Sequence, residues 1–135
     1  MADWDDVRRV ATALPEVTEE AAAGHRQTLA WQVKKKSFLW ERPLGKNDRK
    51  QLGDRGEPVP DGPVLAARVP DEGVKEVLVA SDPDVYFTIP HFDGYPAILV
   101  RLDALDPAEL DELATEAWLS MAPKRLAKAF LDGSA

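Results

Sequence analysis

The sequence predicts an α+β domain built around one hydrophobic core. Three observations carry that prediction. Apolar residues recur at three- and four-residue spacing near both ends of the chain, and short β-branched and aromatic runs fill the middle. The length, 135 residues, suffices for a core without a metal or disulfide staple. In order, the chain reads as helix, three strands, helix, two strands and long helix, with no internal repeat.

Residues 3–14 are expected to be helical, because Trp4, Val7, Val10, Ala11 and Leu14 fall on one stripe. Asp3, Asp5 and Asp6 crowd the first turn, where the helix dipole favours negative charge, and Pro15 ends the helix. Residues 16–24 read as a polar connection, with Gly24 and His25 ahead of the first strand. In residues 28–33, Leu29, Trp31 and Val33 share one face. Lys34, Lys35, Lys36 and Ser37 read as the turn of a hairpin, and residues 38–41 as its returning strand. Residues 43–63 are rich in proline, glycine and charge, and are expected to form a long loose loop.

Residues 64–69 form the next expected strand. Pro70 and Asp71 then open a helix over residues 72–80, with Val74, Val77 and Leu78 as its apolar face. Residues 81–84 carry a turn signal. Two further strands are expected at 85–89 and 97–102, joined by a connection too long for a two-residue hairpin turn. Asp106, Pro107 and Glu109 mark the start of the last long helix. Its stripe is Leu110, Leu113, Ala114, Ala117, Trp118 and Met121. Pro123 interrupts it, and a short helix follows over 124–131, carrying Lys124, Arg125 and Lys128 where cations complement the dipole.

Composition excludes several classes. The chain has no cysteine, which removes disulfides, thiolate nucleophiles and cysteine-ligated metal sites. Its acidic first residues lack the apolar core of a signal peptide, and no apolar run approaches bilayer length, so a cytoplasmic location away from membranes is expected. The net charge of -7 argues against non-specific nucleic-acid affinity for the molecule as a whole. Charge is unevenly placed, however: residues 34–55 carry eight basic and three acidic side chains, net +5, within an otherwise acidic body. No dinucleotide fingerprint, P-loop or nucleophile motif is present.

The segment Pro90-His91-Phe92-Asp93-Gly94-Tyr95-Pro96 is the densest group of functional side chains. His91, Asp93 and Tyr95 have the chemistry of a base, its orienter and a proton donor. Residues so close in a turn more often cap backbone groups than do chemistry. No catalytic residue is assigned, no enzyme activity is expected, and no cofactor is implied. The acids Asp3, Asp5, Asp6, Glu16, Glu19 and Glu20 suit hard cations in type but show no cage spacing, so no metal site is assigned.

Taken as an ordered set, several of these motifs are similar to the MmcQ/YjbR family. They are the helix end Ala13-Leu14-Pro15-Glu16-Val17, the hairpin from Trp31 to Leu39, the run from Tyr86 to Pro96, and Ala117-Trp118 followed by Ala122-Pro123-Lys124-Arg125-Leu126. The resemblance implies a frataxin-like (CyaY-like) two-layer fold. Its twisted antiparallel sheet would have about five strands, with the N- and C-terminal helices packed on one face. It also implies DNA binding through hairpin wings. The family's tryptophan before the fifth strand is replaced here by Tyr95-Pro96, so no role is carried over to that position. The residues expected to meet phosphates are Lys34, Lys35, Lys36, Arg42, Lys46, Arg49 and Lys50, with Trp31, Trp40 and Tyr86 as stacking surfaces. The alternative is a protein-interaction or small-ligand scaffold using an open sheet face, recognisable if Trp40, Tyr86 and Thr88 are exposed together.

Overall fold

The structure, a computed structural model, describes residues 2–21, 28–57 and 59–133. Helix α1 (Trp4–Thr12) leads into a strand β1 (Val17–Ala21), followed by β2 (Leu29–Val33) and β3 (Lys36–Glu41). Helix α2 (Lys46–Asp54), β4 (Val64–Arg68), α3 (Glu72–Ser81) and the two-residue strand β5 (Tyr86–Phe87) follow. A 3-10 turn (Pro90–Phe92) precedes β6 (Ala97–Arg101), and α4 (Pro107–Met121) and α5 (Lys124–Leu131) close the chain. The sheet is fully antiparallel, in the order β1-β2-β3-β4-β6-β5.

The α+β class and the antiparallel sheet agree with expectation; three local readings need correction. Residues 17–21, expected as polar connection, form the edge strand β1, making six strands rather than five. Its sequence, Val-Thr-Glu-Glu-Ala, lacks apolar alternation because one whole side of an edge strand meets water. Within 43–63, expected as loose loop, Lys46–Asp54 wind into α2, with Asp48 Oδ2 accepting the Gly45 N–H at 3.0 Å and Leu52 buried. The helix α3 is rotated from its expected orientation. Val77 is 66% exposed and Val74 36%, while Lys75, Leu78 and Val79 face inward. Gly24, His25 and Pro58 lie outside the described residues.

The helix caps explain where elements begin. Asp3 accepts from the Asp6 N–H and Asp6 from the Asp3 N–H, at 2.9 and 3.0 Å. Asp71 caps α3 through the Val74 N–H, and Asp106 caps α4 through the Ala108 N–H.

The core has two parts, one on each side of the sheet. On one side, α1 and α4 cover Trp31, Val33, Phe38, Leu39, Leu65, Ile98 and Val100. Trp118 is fully buried there and its indole N–H donates to the Pro15 carbonyl at 3.1 Å. On the other side, Leu44, Leu52, Phe92 and Ile89 cover Ala66, Phe87 and Leu99. The second layer therefore sits over β4, β6 and β5 and leaves the outer face of β2 and β3 open. No helix among the described residues is long and apolar enough to cross a membrane.

Candidate functional site

The hairpin tip is tighter than the sequence suggested. Val33 pairs with Lys36, so the turn is only Lys34-Lys35, with φ of 50° and 67°. Positive φ at both central residues is the signature of a type I′ turn, for which Asn-Gly is the usual choice. Two lysines there carry a conformational cost that glycine would avoid. Lys34 is not free: its ammonium pairs with Glu16. Lys35 and Lys36 are exposed.

The other expected phosphate ligands lie at the far end of β3. Lys46 and Lys50 are exposed on α2. Arg49 donates to the Pro60 carbonyl at 2.9 Å and so ties α2 to the chain beyond it. Arg42 is half-buried, donates to the Pro43 carbonyl and pairs with Asp48 at 3.4 Å. The seven cations thus form two groups, separated by the length of β3, roughly 20 Å at 3.3 Å per residue. Glu16 and Asp48 neutralise one member of each group.

Between the two groups lies an aromatic cleft. Trp40, Arg42, His91, Phe92 and Tyr95 line a cavity of about 420 Å³. A second hollow of about 360 Å³ adjoins it across Trp40 and Tyr95 and extends over Ala30 and Ser37. Trp40 and Tyr95 have ring centroids 6.5 Å apart, and Tyr95 meets Phe92 edge-on at 5.5 Å. Arg42 sits 5.8 Å from the Phe92 ring centre and Arg68 sits 4.8 Å from that of Tyr95. Guanidinium groups on aromatic faces are held by the ring quadrupole and keep N–H donors for a ligand.

The loop carrying His91 and Tyr95 is fastened from behind. Lys75 is 4% exposed and its ammonium donates to the carbonyls of Phe92 at 2.6 Å and Tyr95 at 3.0 Å. Glu72 approaches the same ammonium at 3.6 Å. A buried ammonium needs such acceptors, and it adds a second donor to two carbonyls that already accept the N–H groups of Tyr95 and Ala97, at 3.0 and 2.8 Å. Tyr95 remains 40% exposed.

The expected cluster of His91, Asp93 and Tyr95 is divided. His91 and Tyr95 share the aromatic cleft, whereas Asp93 lines a separate hollow beside α3 with Glu76 and Thr88. No hydrogen bond joins His91 to Asp93 among the described residues. Trp31 and Tyr86 are buried on the helix-covered side, away from the aromatic cleft; Trp40 is half-buried at the cleft. Trp40, Tyr86 and Thr88 are not exposed together, since Tyr86 faces the core while Trp40 and Thr88 are half-buried.

Of the acids that suit hard cations in type, Asp3, Asp6, Glu16 and Glu19 are engaged within the chain. Glu19 accepts from Arg8 at 2.7 Å and from the Trp31 indole N–H at 2.9 Å. These bonds, Arg8 first, hold its carboxyl below the ordinary value. Among the described residues, no three His, Asp or Glu side chains gather as metal ligands.

Sequence reasoning missed Lys75 and Arg68. A lysine on a helix reads as solvent-facing, and only the rotation of α3 puts Lys75 under the loop. Arg68 at the end of a strand gives no spacing signal for its ring contact.

An open antiparallel sheet, covered by helices on one face and carrying aromatics and cations on the uncovered part of the other, defines a small α+β fold. The chain belongs to the YjbR family, whose model matches residues 12–120. It is 51% identical over 134 residues to uncharacterised proteins of Mycobacterium bovis (Mb2600) and Mycobacterium tuberculosis (Rv2570), with 99% of each chain covered. The crystal structure of Deinococcus radiodurans DR2400, which carries the domain DUF419, is similar in fold. Its TM-score is 0.67 at 23% identity, covering 99% of this chain and 88% of that one.

Proposed function

We propose that this protein binds DNA, and that it takes an unpaired or locally opened strand rather than a closed duplex. One observation carries the reading: Trp40, Tyr95, His91 and Arg42 line one open cleft on the sheet face, with exposed lysines beyond each end of β3. Bases reach such a cleft only when unstacked, and aromatic platforms bind them with little regard to sequence. Trp40 and Tyr95 supply the stacking surfaces. Arg42 and Arg68, already seated on Phe92 and Tyr95, present guanidinium edges beside them. Lys35 and Lys36 meet phosphates at one end, and Lys46 and Lys50 at the other.

This differs from a wing that rides on the duplex backbone. Lys34 is occupied by Glu16, and the acidic edge strand β1 lies beside the hairpin. A broad duplex would meet those carboxylates, whereas a single strand following β3 would not. Binding, and not catalysis, is the role assigned to His91, because Asp93 faces another hollow.

The test is fluorescence anisotropy of labelled single-stranded and duplex oligonucleotides over a range of salt. Four lysine contacts predict a log–log salt slope near -3 for the single strand, at about -0.7 per phosphate. Changing Lys36, Lys46 and Lys50 together to alanine should flatten that slope. Equal or tighter duplex binding would contradict the single-strand reading, and absence of binding at low salt would contradict DNA binding altogether.

A further inference from the structure

On the helix-covered side of the sheet, a cavity of about 470 Å³ opens between α3 and α4. The proposed DNA cleft does not use it, and its volume is within the range of small-ligand sites. Its floor is apolar: Val69, Leu78 and Leu113 line it with the ring of Tyr86, and Val74 stands exposed at its mouth.

Helix α4, which gives Leu113 to that floor, also lines the cavity with Glu109, Glu112 and Glu116. Spacings of three and four residues put the three carboxylates on one face of the helix, about 4.5 and 6 Å apart along its axis at 1.5 Å per residue. Among the described residues, no lysine or arginine forms an ion pair with any of them. Arg68 also lines the cavity, but its guanidinium lies over the ring of Tyr95.

The field inside is negative, and Tyr86 reports it. Burial first, and then the charges of Glu109, Asp82 and Glu112, push its phenol up to about 12. The phenol therefore stays protonated beside the carboxylates of the cavity. Carboxylates strung along a helix do not converge on one point, so they suit a row of charges better than one ion.

We propose that this cavity binds a linear aliphatic polyamine with one three-carbon and one four-carbon spacer. At roughly 1.25 Å of advance per tetrahedral bond, those spacers separate ammonium groups by about 5 and 6 Å. That pattern matches the rise between Glu109, Glu112 and Glu116. The methylene runs between the charges lie on Val74, Leu78 and Leu113, which a small inorganic cation would leave wet.

The test is isothermal titration of the full chain with spermidine at moderate salt. Parallel titrations use 1,4-diaminobutane, and magnesium chloride at matched ionic strength. Two double variants are compared, Glu112→Gln with Glu116→Gln, and Asp54→Asn with Asp61→Asn, all at exposed positions and with the same charge removed. The expected result is saturable one-to-one binding of spermidine, weakened roughly tenfold by the α4 variant, as for loss of two exposed ion pairs. The Asp54/Asp61 variant should bind within about twofold of the parent, and the diamine roughly tenfold more weakly than spermidine. Unsaturable heat, equal losses in the two variants, or displacement by magnesium at matched ionic strength would each overturn the site and leave diffuse counterion attraction. Failure here leaves the DNA reading untouched, because the two sites lie on opposite faces of the sheet.

Discussion

The two faces of the sheet are built to different standards. Under α1 and α4, large side chains are fully buried and their few polar atoms are paired, as with Trp31 on Glu19 and Trp118 on Pro15. On the outer face, α2 and the 90–96 loop cover only β4, β6 and β5. What they leave open is an aromatic floor with half-desolvated arginines at its edge. The first face spends its aromatics on cohesion, and the second keeps them accessible at some cost in burial. Aromatic residues of the same kind therefore differ in role by the face they occupy.

Substitutions that probe this contrast should separate stability from binding. Trp118→Ala empties a fully buried site under α4 and should lower unfolding stability by about 3–5 kcal/mol, read by urea denaturation. Trp40→Ala, at a half-buried position, should cost much less stability but most of the single-strand affinity. Comparable stability losses from the two would erase the distinction between the faces.

Lys75 links the faces, because α3 holds the loop of the outer one. Lys75→Met keeps the apolar stem but removes the ammonium's two bonds to the carbonyls of Phe92 and Tyr95, the ties between α3 and the loop. We expect a loss of about 1–3 kcal/mol in denaturant titration, with weaker oligonucleotide binding alongside. Binding unchanged in a folded Lys75→Met protein would show that the cleft does not need the loop in place.

A smaller effect is expected at the hairpin tip. Replacing Lys34-Lys35 by Asn-Gly suits the positive φ values and should raise stability by about 1 kcal/mol, after allowing for the lost Lys34–Glu16 pair. Salt-slope measurements on the same variant show whether Lys35 meets a phosphate.

The smallest expected effect is at Glu19, and it depends on pH. Its folded pKa lies below the ordinary 4.5 because of Arg8 and Trp31. The stabilisation is therefore complete above that value and disappears as pH falls from there through the folded pKa. Glu19→Gln should thus lose stability near neutral pH and show a shallower decline in acid, measured by thermal melting across pH 2–7.

How much of this was legible depended on whether a residue's environment was local. Helices α1 and α4 declared themselves because an amphipathic stripe is written in the spacing of Trp4, Val7 and Val10, or Leu110, Leu113 and Ala117. Strand β1 did not, since its pairing with β2 is what makes Thr18 and Glu20 a strand. Helix α2 was hidden because one buried residue, Leu52, anchors it against the outer sheet face. Basic residues and the His91–Tyr95 segment were visible as types, but their grouping was not. Arg42 joined the aromatic cleft, Lys34 was lost to Glu16, and Asp93 turned to another hollow, all through contacts distant in sequence.

The central claim is that Trp40 and its neighbours form a stacking surface for unpaired DNA. The most direct test is anisotropy of a labelled single-stranded oligonucleotide at low salt, with the parent protein, Trp40→Ala and Trp40→Phe. The account predicts that alanine weakens binding by about 1–3 kcal/mol, the worth of one stacked base, while phenylalanine retains most of it. Indistinguishable affinities for the parent and a folded Trp40→Ala protein would contradict it.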